Sequence, residues 1–278
     1  MQLTGLKTKL FKTGDKLEDF LVREIRTLKN GDVIAITSKI VALAQGRVGK
    51  LEDKKKIISR EAKKVIHTPW AELTLTEDGW CLNAGIDESN ADNQLILLPT
   101  KPFETAEKLR RFLLKKFSLK QLGVIITDTK SLPLRVGTVC RALSYAGFEP
   151  IKSYVGQPDL FGRKSRLTES NVADALATSA GLLMGEGNEQ TPLVIIKKAP
   201  VKLTNKIFSK SKNKSLSLPP EKDIFAKVFT HQNFSTKNLG GQVQKKNQKI
   251  NLSQIFAVAK ICDTGTTLKR QRKMPRRV

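Results

Sequence analysis

The sequence predicts an α/β fold with mixed sheets. Strand-like and helix-like segments alternate along the chain, and one strong hairpin signal requires antiparallel pairing in part of a sheet. The 278 residues, of which 39% are hydrophobic, are enough for a buried core in one large domain or two smaller ones. We therefore expect residues 1–240 to form the globular part, as one domain or two subdomains.

The first half of the chain is expected to alternate helices and strands. A helical pattern precedes the β-branched run 32–37, which follows the turn pair Asn30-Gly31. A short helix after that run ends at Gly46, and Asp78-Gly79 is typical of a hairpin turn. The predicted elements are helices at 16–28, 40–44 and 54–66, the second of them capped by Thr37-Ser38, and strands at 32–37, 72–76, 80–83 and 94–98.

The second half adds two helices and two strands. Apolar side chains share one face of the segment 103–117, which predicts an amphipathic helix. The continuous apolar runs 124–127 and 193–196 are typical of strands that are buried on both faces. The last helix is expected to start with Thr168 as its cap and to stop at Gly185.

Basic charge is concentrated towards the end of the chain, and the formal net charge is +24. Residues 201–278 hold 18 basic and 3 acidic residues, whereas residues 1–200 hold 32 and 23. Because so polar a segment buries little apolar surface, we expect 241–278 to be a disordered basic tail. Its run 269–273 would contact a polyanion nonspecifically or simply raise solubility, so a nucleic-acid-binding protein is one hypothesis.

Several classes of protein are disfavoured by composition. No uncharged apolar stretch approaches the roughly 18–20 residues that a membrane span needs. The three cysteines form no CxxC pair, which suits a cytoplasmic protein and excludes a zinc site built from cysteines. Because the chain has only two histidines, a catalytic Ser-His-Asp triad is disfavoured. Carboxylate and hydroxyl oxygens are plentiful, and they are the ligands that hard cations such as Mg²⁺ and Mn²⁺ prefer.

Two expected strand ends carry acidic side chains. Asp87 follows Gly85 and precedes Asn90, so a metal and a nucleotide could be bound there; a turn with an Asx cap accounts for the same residues. Asp128 precedes Thr129 after the second buried strand, and such a pair can hold a metal that carries phosphates. A cap after the strand is the alternative at that position.

The third candidate is a glycine-rich loop between the last helix and the last strand. Gly185 and Gly187 permit a backbone concavity that could wrap a phosphate or a purine, although a glycine after a helix is usually a C-cap. No Gly-Lys-Ser/Thr follows, so the loop is not a P-loop. Together with the surplus of basic charge, these three segments favour an enzyme that uses a metal and a nucleotide over a plain binding module.

Five stretches of the sequence resemble the coenzyme F420-0:L-glutamate ligases, the F420-0:gamma-glutamyl ligase family. The resemblance covers residues 3–200 and extends more weakly to about residue 240. It implies the α/β fold of that family, followed here by a basic tail without a counterpart, and an intertwined homodimer. The matching stretches are NAGIDESN (83–90), TAEKLRR (105–111), GVIITDT (123–129), GQPDLFGR (156–163) and VADALATSAGLLMGEG (172–187).

The resemblance implies a ligase that adds L-glutamate to coenzyme F420-0 through a γ-linked amide, with GTP as co-substrate and Mn²⁺ or Mg²⁺ as cofactor. GTP would convert the cofactor carboxylate to an acyl phosphate, which the amine of glutamate then displaces. By position, Asp87 and Asp128 are the catalytic residues, and with Thr129 they would hold the metals. The nucleotide would contact Leu6, Lys7, Thr8, Lys9, Ser38, Lys39, Asn90, Met184, Gly185, Glu186, Gly187, Asn188, Glu189, Gln190 and Thr191.

Two departures from the family pattern leave alternatives open. Leu43 stands where the family's SKAEG has a lysine that contacts the nucleotide. Either Lys39, Lys7 or Lys9 supplies that charge, or nucleotide binding is weaker. A further hypothesis is an inactive homologue that still binds a nucleotide. Residues 130–135 lack the Gly-Arg pair that follows the family's Asp-Thr, in a region expected to face the acceptor. A tetrahydrofolate γ-glutamyl ligase with the same chemistry is therefore the alternative to F420-0.

Overall fold

A computed structural model describes residues 1–208, 216–218 and 222–224, all within one compact unit, Met1–Ala226. The predicted α/β class with mixed sheets is confirmed, whereas the tail at 241–278 and its boundary lie outside the described residues. The helices are α1 (Leu17–Glu24), α2 (Ser38–Ala44), α3 (Lys54–Glu61), α4 (Pro102–Lys116) and α5 (Val172–Met184). The strands are β1 (Gln2–Leu6), β2 (Val33–Thr37), β3 (Val48–Lys50), β4 (Lys64–His67), β5 (Glu72–Thr76), β6 (Gly79–Leu82), β7 (Gln94–Ile96), β8 (Gly123–Ser131), β9 (Thr138–Ala146), β10 (Ile151–Ser153), β11 (Glu169–Asn171) and β12 (Leu193–Lys197).

A five-stranded sheet with the order β1-β12-β2-β8-β9 holds the main core. Strands β2 and β8 run parallel, and the other neighbours are antiparallel. Side chains alternate along β2: Ile34 and Ile36 pack with α1 and α4, whereas Val33 and Ala35 pack with α5. Helices on both faces of the sheet therefore explain why the sequence of β2 is apolar without interruption.

A smaller group of elements carries the remaining core. Strands β4, β5 and β6 form an antiparallel sheet, and β3 pairs with β7. A separate hydrophobic cluster joins α3 to the segment around β7. The predicted hairpin is confirmed, with its turn at residues 77–78 and Gly79, at φ +94°, opening β6. Among the described residues, no helix is both long and apolar enough to cross a lipid bilayer.

Three of the predicted helices have wrong boundaries. The helix expected over 54–66 ends at Glu61, because residues 64–67 pair with β5 as a strand. The helix expected from Thr168 begins at Val172, where the Asn171 side chain caps it by accepting from the Asp174 amide at 3.0 Å. The helix expected over 16–28 ends at Glu24, although the residues that follow it still contribute to the core.

The strand expected to end before Asp128 is longer than predicted. β8 continues to Ser131 because β9 pairs with it antiparallel along its length. Its parallel neighbour β2 stops at Thr37, opposite Thr127. Asp128 and Thr129 therefore lie within β8, in the part that extends past the carboxyl end of β2. Strands β1, β3, β4, β9, β10 and β11 were not anticipated from the sequence.

Candidate active site

The segment that carries Asp87 is held in place by backbone contacts. Gly85 has a φ of +72° and packs so closely that an added Cβ would lie 2.7 Å from Leu98. The next residues form a bridge in which the Asp87 amide donates to the Ile96 carbonyl at 2.9 Å and the Asp87 carbonyl accepts from the Ile96 amide at 2.8 Å. The Asp87 carboxylate also accepts from the Ser89 amide at 2.7 Å. The Asx turn considered from the sequence is thus present, and it leaves the second carboxylate oxygen for another partner.

That partner is Lys39, from the first turn of α2. Its ammonium lies 2.8 Å from Asp87 Oδ2 and donates to the Ser89 carbonyl at 2.7 Å. Burial alone would raise the pKa of Asp87, but the hydrogen bond and positive charge of Lys39, together with the two hydrogen bonds from Ser89, outweigh burial and hold that pKa below its usual 3.8. The Asp87 carboxylate is therefore ionised at neutral pH and already has one positive partner.

Asp128 has a different environment. Its carboxylate accepts from Ser38 Oγ at 3.1 Å and faces the Arg141 guanidinium, across the β8–β9 pair, at 3.7 Å. Burial raises the pKa of Asp128 above its usual 3.8, and the charge of Arg141 and the Ser38 hydrogen bond offset that rise only in part. The charged form of this carboxylate consequently has too few partners for its degree of burial.

The two aspartates converge although 40 residues separate them in the sequence. Asp87 contacts Lys39, and Asp128 contacts Ser38, so both carboxylates reach consecutive residues at the start of α2. Helix α2 begins directly after β2, and β2 lies beside β8 in the sheet. The parallel pairing of β2 with β8 is what brings Ser38 alongside Asp128.

Thr129 points away from this pair of carboxylates. Consecutive residues of a strand project to opposite faces, so Thr129 faces α5 and the loop that follows it. Its hydroxyl donates to Glu186 Oε1 at 3.0 Å and lies 3.7 Å from the Cys140 sulfur. Of the three predicted metal ligands, Asp87 and Asp128 therefore contact the start of α2, whereas Thr129 contacts Glu186 of the glycine-rich loop. Within the described part of the chain, no three His, Cys, Asp or Glu side chains form a metal-binding group.

The glycine-rich loop folds around a negative charge. Gly185 caps α5 because its backbone amide donates a hydrogen bond to the Gly181 carbonyl, as the C-cap alternative expects. The Glu189 carboxylate turns back into the loop, where it accepts from the Gly187 amide at 2.9 Å. It lies so close that a Cβ on Gly185 would meet it at 2.1 Å. The backbone of this loop therefore forms a concavity that accommodates an anionic group.

Asn90 connects the loop to the first aspartate segment. Its side-chain amide donates to the Gly187 carbonyl at 2.7 Å. The N-terminal stretch 6–9 joins from the other side, since Leu6 pairs with Leu193 and the Thr8 amide donates to the Gln190 carbonyl at 2.9 Å. All the segments predicted to bind a nucleotide therefore adjoin one another, and Lys7 and Lys9 are exposed at their edge.

Leu43, at the departure from the family pattern, lies one helical turn after Lys39 on α2. Its side chain is buried in an apolar cluster with Ala91 and Ile96, so it offers no charge to the site. Lys39 is the lysine of α2 that reaches the site.

The sequence alone did not reveal three participants. Ser89 and Arg141 each contact one of the two aspartates, and Lys130 follows on the same strand face as Asp128. Arg141 and Lys130 are recognisable only once β9 is known to pair with β8, which places Arg141 opposite Asp128. The motif Asp-x-Ser at 87–89 could have identified Ser89 as a partner of Asp87, because a hydroxyl two residues after an aspartate commonly donates to its carboxylate.

Comparison with known proteins supports a single family. The family described as F420-0:Gamma-glutamyl ligase matches residues 5–198. The chain is 32% identical over 246 residues to the coenzyme F420:L-glutamate ligase of Methanocaldococcus jannaschii, covering 81% of this chain and 96% of that protein. It is 34% identical over 212 residues to the protein of that name from Methanosarcina mazei, covering 69% and 83%. The corresponding figures for Methanopyrus kandleri are 34% over 236 residues, covering 77% and 92%.

Proposed function

The chain belongs to the F420-0:gamma-glutamyl ligase family, and we propose that it joins L-glutamate to the carboxylate of coenzyme F420-0 through a γ-linked amide. The proposed co-substrate is GTP and the proposed cofactor is Mn²⁺ or Mg²⁺. The observation that carries the proposal is the convergence of Asp87 and Asp128 on Ser38 and Lys39, beside a loop that holds an anion.

The proposed reaction has two steps. The acceptor carboxylate attacks the γ-phosphorus of GTP, which forms an acyl phosphate and releases GDP. The amine of glutamate then attacks the acyl carbon and the amide bond forms. The bond between that carbon and the phosphate oxygen breaks, inorganic phosphate leaves, and the proton of the amine passes to the released phosphate or to water. Each step brings anions together, so positive charge must be supplied where they meet.

The donor set fits divalent cations. Asp87 and Asp128 offer hard carboxylate oxygens on one side of β8, and Thr129 with Glu186 offers oxygens on the other. The Asp128 side chain is 16% exposed, and the incomplete compensation of its partly desolvated carboxylate is the arrangement that a bound cation would relieve. Bound cations would neutralise the phosphate oxygens and orient them for transfer. Asp87, Asp128 and Thr129 would hold them.

The nucleotide site is built from the segments that adjoin these carboxylates. The loop at Met184–Thr191 would replace the Glu189 carboxylate with phosphate oxygens at its backbone amides, and Asn90 would contact the nucleotide from the side. Lys39 lies where it can contact both Asp87 and a phosphate. This position supports the interpretation that Lys39 supplies the positive charge that the family's lysine at the position of Leu43 would otherwise supply.

A panel of acceptors tests this function. The purified chain is incubated with GTP, isotope-labelled glutamate, Mn²⁺ or Mg²⁺, and either coenzyme F420-0 or tetrahydrofolate, and products are read by mass. We expect coenzyme F420-0 to gain one or more glutamyl units in a reaction that needs both nucleotide and metal. A gain on tetrahydrofolate alone would replace the acceptor but keep the chemistry. No product with either acceptor, across metals and with ATP as well as GTP, would contradict the proposal.

We also propose a homodimer. Several large apolar side chains on two loops are almost fully exposed: Leu134, Val136, Leu160 and Phe161. A second copy that covered them would remove an apolar surface of the kind that marks interaction sites. Light scattering of the wild type should give twice the chain mass, and Leu160→Ser with Phe161→Ser should shift that mass towards the monomer.

A further inference from the structure

One face of the β8–β9 pair carries two cationic side chains that the proposed reaction does not yet use. Asp128 and Lys130 lie two residues apart on β8, and Arg141 lies opposite Asp128 on β9. Their side chains project to the same face of the sheet, because alternate residues of one strand and directly opposed residues of two strands share a face. The turn of the β5–β6 hairpin covers this face, since Arg141 Nη1 donates to the Asp78 carbonyl at 3.0 Å.

Arg141 has a donor without an acceptor. Its side chain is only 14% exposed, and its Nε atom is buried with no hydrogen-bond partner among the described residues. The nearest oxygen of Asp128 is 3.7 Å from Nη2, which is beyond hydrogen-bonding distance. A buried charged donor left in this state is unfavourable, so a ligand oxygen that it could reach would be bound favourably.

Lys130 extends the same surface. Its ammonium lies 4.0 Å from the position that a Cβ on Gly79 would occupy, so it stands below the hairpin turn. Among residues 1–208, 216–218 and 222–224, no acceptor or carboxylate is close enough to form a hydrogen bond or ion pair with it. The carboxylates of Asp128 and Asp174 and the thiol of Cys81 act on it only through longer-range electrostatics. Unpaired donors, and not an excess of net charge, therefore distinguish this surface.

We propose that Lys130 and Arg141 form an oxyanion-binding site, which takes a carboxylate or phosphate group of a substrate beside Asp128. The identity of the substrate rests on the proposed function, whereas the unpaired donors are present whatever the function is. A guanidinium presents its donors in a planar fork that matches both carboxylate and phosphate geometry, and the ammonium adds a second charge. The oxyanion belongs either to the acceptor or to the phosphoryl group in transfer.

Calorimetry on the full chain tests the site with three separate probes: inorganic phosphate, coenzyme F420-0 and GTP. Arg141→Gln and Lys130→Gln each remove one charge, and we expect each to weaken binding of at least one probe about tenfold or more. Arg26→Gln is the matched control, because Arg26 is exposed and precedes the amino end of β2. It should leave all three affinities unchanged.

The three probes separate the two sources of the oxyanion. Weaker binding of coenzyme F420-0 alone assigns the site to the acceptor, and weaker binding of GTP and phosphate assigns it to the phosphoryl group. Unchanged affinity for all three probes in both variants would overturn the site, even if the chain proves to be a ligase. If Arg141→Gln lowers the melting temperature, Lys130→Gln decides alone, since Lys130 is only half-buried. Lost phosphate binding in a chain that makes no glutamyl product would keep this site and reject the proposed function.

Discussion

The two aspartates of the candidate site differ in their surroundings, and these shift their pKa values in opposite directions. Asp87 lies at a tightly bridged turn and has its own lysine, which lowers its pKa. Asp128 lies within a buried strand, has a hydroxyl and a distant guanidinium as partners, and has a raised pKa. The difference indicates that Asp87 is charged before any cation arrives, whereas Asp128 gains most from one.

From this contrast we expect the two positions to depend unequally on the proposed metal. A cation near Asp87 must share its carboxylate with the Lys39 ammonium, which lies at 2.8 Å. At Asp128 the competing cationic group is farther away, because the nearest Arg141 nitrogen lies 3.7 Å from the carboxylate. Loss of the Asp128 carboxylate should therefore damage catalysis most, and changes on the Asp87 side should be smaller.

The largest expected effect is that of Asp128→Asn. The amide keeps the shape of the side chain but removes the charge that would hold a cation, so we expect turnover to fall at least a hundredfold while the fold is retained. Turnover and circular dichroism are measured together. Asp92→Asn is the control, because Asp92 is exposed and its left-handed backbone, at φ +48°, also suits asparagine. Near-normal turnover of Asp128→Asn would remove that residue from the mechanism.

Lys39→Met should have an intermediate effect on turnover and an informative effect on metal binding. We expect turnover to fall about tenfold, because a charge-assisted contact is lost. The rise in melting temperature on addition of Mn²⁺ should become larger than in the wild type, because the cation no longer competes with the ammonium at Asp87. Lys55→Met, at an exposed position of α3, should leave both quantities unchanged. A smaller Mn²⁺ response in Lys39→Met would reverse this account of Asp87.

Asn90→Asp should weaken nucleotide binding without altering the carboxylates. The change keeps a side chain that tolerates the φ of +50°, but it removes the donor to the Gly187 carbonyl and adds a negative charge. We expect the Kd for GTP to rise about tenfold by calorimetry. Asn93→Asp makes the same change at φ +59° on an exposed residue of the same loop. An equal loss of affinity in both variants would mean that the added charge alone is responsible.

The smallest effect is expected from an ion pair outside the site, which sets the scale for a lysine–carboxylate contact. The hydrogen bond from Lys108, at 2.7 Å, lowers the pKa of Glu18 below its usual 4.5. The stabilisation is therefore present above that value and disappears as the pH falls through the lower pKa of the folded state. Urea denaturation of Glu18→Gln should show a loss of less than about 1 kcal/mol at pH 7 and none at strongly acidic pH. A loss that stays the same at acidic pH would show that the charge of Glu18 is not its cause.

Much of the architecture could be predicted because the patterns were local. The β-branched runs of β2 and β12 and the stripe of α4 identified their elements, since burial on one or both faces leaves a period in the sequence. The helix expected over 54–66 was wrong because residues 64–67 pair with a hairpin that follows them. The short strands β10 and β11 were missed because exposed three-residue strands carry almost no periodicity.

The sequence by itself determined which oxygens and lysines are available near glycines and strand ends, and its motifs determined the family. Only the tertiary structure decided that Asp87 and Asp128 meet at Ser38 and Lys39, that Thr129 faces Glu186, and that Arg141 lies opposite Asp128. The physical reason is that side-chain type is a local property. Which faces meet depends instead on strand order and register, and these are fixed by the burial of the whole sheet.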